Sequence, residues 1–166
     1  MPATTSPTMT ERIVINTGPL IALAKAEALD VAARLPLEFI CPPQVHEELA
    51  AGVRAGHLTV EPAWLRVVEL SAPLPALALA AIDMGEAAVI QLAVEQRVGW
   101  VCMDDWKGRR AALAVGLNVT GTLGLLLKAK SLAVIPAVRP FVGRLLEAGG
   151  WFNPELVRRV LAQAGE

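Results

Sequence analysis

The chain has 166 residues, enough for one domain with a real core, and 54% of them are apolar, high for a soluble protein. Fifteen basic and sixteen acidic side chains nearly cancel, so net charge selects no class of partner and any nucleic-acid contact must come from a local patch. Apolar runs are broken by Pro, Gly or Lys before about 18 residues, which argues against a membrane span.

The opening residues 1–10, MPATTSPTMT, hold no basic segment followed by an apolar core. They read as a frayed tail rather than a signal peptide, leaving 11–166 as a single domain. Ile13-Val14-Ile15 is β-branched and suits a strand buried on both faces. Asn16, Thr17, Gly18 and Pro19 make a turn, and Leu20, Ile21, Leu23 and Ala24 carry a helical pattern. Glu27–Leu35 predicts a short helix, Leu37–Cys41 a second strand, and Pro42-Pro43 start a helix through about Gly52 or Ala55. Trp64–Leu70 reads as an extended edge segment, and Pro73–Ala81 as an Ala/Leu-rich helix. Asp83 and Glu86 have capping-box spacing at the head of a helix to about Arg97. Gly99–Met103 predicts a third buried strand with Trp100 in the core, followed by Asp104-Asp105 and a helix to about Val115. Leu117–Val119 is a short fourth strand, with helices over Thr120–Ala129 and Pro136–Ala148, and a last one capped by Asn153. Strands alternating with helices imply a parallel sheet covered on both faces.

In such a sheet the strand-end loops border the usual ligand crevice. Asn16, Glu47 or Glu48, Glu86, and Asp104 or Asp105 fall at strand ends or helix starts. Carboxylates converging there repel, and a divalent cation relieves the repulsion. Oxygen donors without clustered His or Cys point to Mg²⁺ or Mn²⁺, which can activate water against a phosphodiester. Each residue also has a plainer use. Glu86 can complete the capping box, one Asp can cap the next helix, Glu47 and Glu48 can be solvated, and Asn16 can be a turn residue. Lys107, Arg109 and Arg110, with Lys128 and Lys130 further on, can hold a phosphate backbone or form solvated helix faces. Arg109 can instead orient a site carboxylate. Thr17 and Thr120 offer hydroxyls near the crevice, and Trp106 stands beside the acids, where it either packs or stacks on a base. Cys41 and Cys102 lack metal-ligand spacing and read as buried thiols in a reducing cytoplasm, and His46 and His57 as surface or satisfied residues.

Three stretches taken in order carry a resemblance. VINTGPLIAL resembles the opening of a PIN domain, the small nuclease domain of VapC-like toxins. GEAAVIQLA resembles that family's acid-bearing central helix. VCMDDWKGRRAALAVGLNVTGTLGLLLKAK is similar to its later strand–acid–helix part, in a little-characterised PIN-like branch. The resemblance implies a three-layer α/β/α fold with a central parallel sheet of four or five strands. It implies metal-dependent RNA cleavage with Mg²⁺ or Mn²⁺ as cofactor. Residue by residue, Glu48, Glu86 and Asp104 or Asp105 match the family's acids. Asn16 falls where the family has its first Asp. It keeps a ligating oxygen but brings neither charge nor a base. The implied catalytic set is Glu48, Glu86, Asp104 and Asp105. The implied metal set is Asn16, Glu86, Asp104 and Asp105, with Thr17, Lys107, Arg109 and Arg110 toward RNA. A homodimer and a small antitoxin are the implied partners, with a non-cutting RNA- or protein-binding module as the alternative.

Overall fold

A computed structural model describes residues 10–166; the expected tail over 1–9 lies outside the described residues. Five strands form one all-parallel sheet: β1 (Glu11–Ile15), β2 (Leu37–Cys41), β3 (Arg66–Val67), β4 (Trp100–Cys102) and β5 (Asn118–Thr120). Their spatial order is β3-β2-β1-β4-β5. Helices follow as α1 (Thr17–Lys25), α2 (Leu29–Ala33), α3 (Pro43–Arg54), α4 (Ala76–Ala81) and α5 (Met84–Glu95). They continue as α6 (Trp106–Ala114), α7 (Thr122–Ser131), α8 (Arg139–Glu147) and α9 (Pro154–Gln163). The architecture is the three-layer α/β/α fold expected from the resemblance.

β1 is central because its apolar run satisfies both faces. Ile13, Val14 and Ile15 are all buried, and Val14 is in register with Ile40 on one side and Val101 on the other. The strand order reverses direction between β1 and β4, and a crevice opens at the carboxyl ends of strands at such a reversal. The Asn16 N–H donates to the Cys102 carbonyl at 3.0 Å and ties those two ends together.

Three local expectations change. Trp100 is not core: it is 37% exposed, because it opens β4 where cover ends, and only Val101 and Cys102 enter the interior. The edge segment contracts to Arg66–Val67, both exposed, with Arg66 paired to Glu38 at 2.9 Å. Charge of that kind blunts an open sheet edge. Thr120 belongs to the strand, not to the following helix, since it pairs with Cys102 and its carbonyl accepts from the Met103 N–H at 2.9 Å. Cys41 and Cys102 are buried free thiols, as expected, and burial pushes the Cys41 thiol up to about 11. Among the described residues no helix is long and apolar enough to cross a membrane.

Candidate active site

Asn16 follows β1 directly and occupies the residue before α1, yet its side chain makes no cap hydrogen bond. It is buried, and its Oδ1 has no partner. A buried amide oxygen left unpaired costs about 1–3 kcal/mol, so the site holds an acceptor kept unused by the fold. The next residue, Thr17, donates its hydroxyl to Glu48 Oε2 at 2.5 Å. This bond spends the hydroxyl's one donor on the acid and leaves its acceptor lone pairs. Glu48 stands on α3 and its carboxylate lies over Gly85, where an added Cβ would sit 2.9 Å from Glu48 Cδ. Glu47 is exposed and is a solvated helix residue.

Glu86 lies in the first turn of α5 and completes the capping box with Asp83, its Oε2 accepting from the Asp83 N–H at 3.3 Å. It is only 7% exposed. The capping-box reading holds, and burial with the adjacent Asp105 carboxylate pushes its pKa from 4.5 up to about 7. Asp105 caps α6, using Oδ2 to accept from Lys107 N at 2.8 Å and Gly108 N at 3.2 Å. α6 comes this close because residue 108 lacks a side chain: a Cβ there would meet Glu86 Cδ at 3.1 Å and Met103 Sδ at 3.2 Å.

The two aspartates have different partners. Asp104 accepts from Thr122 N at 2.8 Å and Thr122 Oγ1 at 2.6 Å, so both its oxygens are taken. Burial raises its pKa, opposed by the Thr122 bonds and by Arg109 nearby. Arg109 itself donates to the Met103 carbonyl at 2.7 Å, so its role is to brace the β4 end and steady Asp104. Thr122 escaped the sequence reading, because nothing in the chain pairs it with an acid eighteen positions earlier. Its only signal was a hydroxyl at the first helical position after a short strand.

Two clefts meet at Asp105 and Trp106. A polar one of about 440 Å³ is lined by Asp83, Glu86 and Lys107. A larger one of about 620 Å³ runs between α1 and the turn before α9. Arg110 stands over the Trp106 ring at 5.4 Å. Lys130 is not at the site; it pairs with Glu166 at 3.3 Å and bonds the Ala164 carbonyl. Lys128 lines clefts that contain none of the acids, Thr120 Oγ1 packs against Gly124, and His46 and His57 are exposed.

These donors fit a hard divalent cation in kind. All are oxygens, one is an unpaired buried amide, and two are neighbouring carboxylates, of which Asp105 helps to raise the pKa of Glu86. Among the described residues, no three His, Cys, Asp or Glu side chains are gathered tightly enough to hold a metal.

A family model for the PIN domain matches residues 12–166. The chain belongs to the PIN-domain family. No curated protein matches it. The PIN domain is a nuclease-type fold, and PIN domains generally use divalent metals. In this PIN domain the family's three motif regions converge on one sheet edge: β1 brings Asn16, α5 brings Glu86, and the β4–α6 junction brings Asp105.

Proposed function

We propose that this PIN domain is a divalent-metal-dependent endoribonuclease. One observation supports this above the rest: Glu86 and Asp105 are held in contact at the edge where Asn16 Oδ1 lies buried without a partner. Asn16, Glu86 and Asp105 are the residues that would hold Mg²⁺ or Mn²⁺, since Asp105 is the aspartate beside Glu86. A bound divalent cation supplies Lewis acidity, lowering the pKa of water and offsetting charge on the phosphate. Without the ion Glu86 has a pKa of about 7, so binding the cation there would displace a proton at neutral pH. Thr17 orients Glu48, and Lys107 on the polar cleft faces the phosphate backbone. The decisive test is cleavage of a single-stranded RNA by the purified protein. Cleavage in Mn²⁺ that EDTA abolishes is expected; cleavage indifferent to EDTA would overturn the reading.

Asn16 also favours a second reading, because an amide brings no charge to the ion. On it the domain binds RNA or a protein partner without cutting, and RNA affinity is the same with and without metal. Asn16→Asp separates the two. As an enzyme, the variant should bind Mn²⁺ at least tenfold more tightly and cleave faster. In EDTA it should also melt lower than the parent, because a carboxylate at this buried position is left uncompensated. Unchanged Mn²⁺ affinity with the fold intact removes Asn16 from the site.

Gly85→Ala tests Glu48. The colliding group is the free end of an exposed side chain, so Glu48 swings off Thr17 at little cost to stability. We expect melting within a few degrees of the parent and cleavage reduced about tenfold. Full activity would reduce Glu48 to a bystander.

The toxin role, with a homodimer and a small antitoxin, enters this reading through the VapC-like resemblance. Leu77, Leu79 and Met84 are exposed beside the polar cleft and offer an apolar surface for such a partner. A short open reading frame adjoining this gene, whose product co-purifies with the protein and blocks cleavage, is the expected finding. Buried free thiols support a cytoplasmic setting.

A further inference from the structure

We infer that the 620 Å³ cleft between α1 and the α8–α9 turn is a base-binding pocket that makes the site selective for single-stranded RNA. This rests on the reading of the acidic edge as a phosphodiester site. Asp105 and Trp106 line both this cleft and the polar one, so the two are continuous at the acids. Two large aromatic side chains bound it: Trp106 is 58% exposed, with Arg110 over its ring, and Trp151 is 77% exposed. Burying neither ring forgoes a large apolar gain, unless something flat occupies the space between them.

The turn that carries Trp151 is built to hold it there. Gly149 has φ +82°, which an L side chain rarely adopts, and a Cβ on Gly150 would meet the Leu145 carbonyl at 2.8 Å. Asn153, also on the cleft, spends Oδ1 on the Glu155 N–H at 2.9 Å and keeps its amide hydrogens to donate. Lys25 on α1 places a positive charge on the same cleft. An apolar slot with aromatic walls, a polar donor and a cation matches a nucleobase with its phosphate. A base within a duplex is covered on both faces by its neighbours and does not enter such a slot. An unpaired base next to the phosphate under attack does.

Trp151→Ala and Trp151→Phe are the test, read by binding in EDTA at low salt. The probes are a labelled single-stranded 12-mer and a hairpin duplex of equal charge. Because the ring is mostly in solvent, both variants should keep the parent melting temperature. We expect Trp151→Ala to lose about tenfold in affinity for the single strand, with duplex affinity unchanged, and Trp151→Phe to recover most of the loss. Equal losses on both probes, or none, would overturn the pocket. So would an unaltered RNA affinity accompanied by a change in oligomeric mass, which would mark the cleft as a protein contact. The assay involves no cleavage and no metal. The pocket can therefore fail while EDTA-sensitive cleavage stands, and it can hold in a protein that binds without cutting.

Discussion

Glu86→Gln should abolish RNA cleavage and, without metal, make the protein more stable at alkaline pH. The folded protein ionises Glu86 near 7, against an ordinary value of 4.5. Below 4.5 both folded and unfolded chains carry the proton, and the folded state has its full advantage. Between those values the unfolded chain has released the proton while the folded chain retains it, so stability falls as pH rises through 7. The shift corresponds to about 3 kcal/mol at the limit. Glutamine stays neutral and removes this slope. In EDTA, urea unfolding of parent and variant should coincide near pH 4.5, with the variant ahead by up to about 3 kcal/mol at pH 8. Mn²⁺ should reverse the order, since it stabilises only the chain with the carboxylate. Cleavage should fall by about 10² or more. A gap that does not open with pH would mean that Asp105 and burial do not act on Glu86. Surviving cleavage would remove it from the chemistry.

Gly121→Ala should be strongly destabilising. The backbone at 121 is extended, with φ −133° and ψ −173°, so alanine meets no conformational penalty. The cost is in space. The new Cβ would lie 2.5 Å from Asp104 Oδ1, 3.0 Å from Arg109 Nη1 and 3.2 Å from the Met103 carbonyl. None of the three can move freely. Asp104 is bonded twice to Thr122, and Arg109 to Met103. Moving Asp104 strips a largely buried carboxylate of its donors, which costs about 2–4 kcal/mol. A fall in melting temperature of about 8 °C or more is expected by calorimetry, with Thr122→Val losing about half as much. A variant as stable as the parent would show that this junction is loose.

The fold was largely legible because its signals are local. Ile13–Ile15 could only be a strand covered on both faces, and Asp83 with Glu86 announced a helix start from four adjacent positions. Most of the acids were legible too, since Glu86 and the two aspartates sit at a helix start or strand end, whereas Glu48 lies in the middle of α3. Their division of labour was not. Asp104 and Asp105 are neighbours of identical chemistry, and nothing in the chain says which one Thr122 will claim. Trp100 misled for a related reason: its strand was read correctly, but burial of the first residue depends on where the neighbouring layer ends.

The sequence alone therefore determined the parallel sheet and the identity of the candidate acids, which follow from periodicity, turn chemistry and residue type acting over a few positions. That Asn16 puts an amide where a charge is expected came only from the resemblance to the PIN domain. Only the tertiary structure decided which carboxylates touch, which is spent on bracing, and that two tryptophans 45 positions apart border one cleft. Such meetings are set by how helices from distant parts of the chain pack across a sheet, and that packing follows from the fit of the whole core rather than from any one stretch.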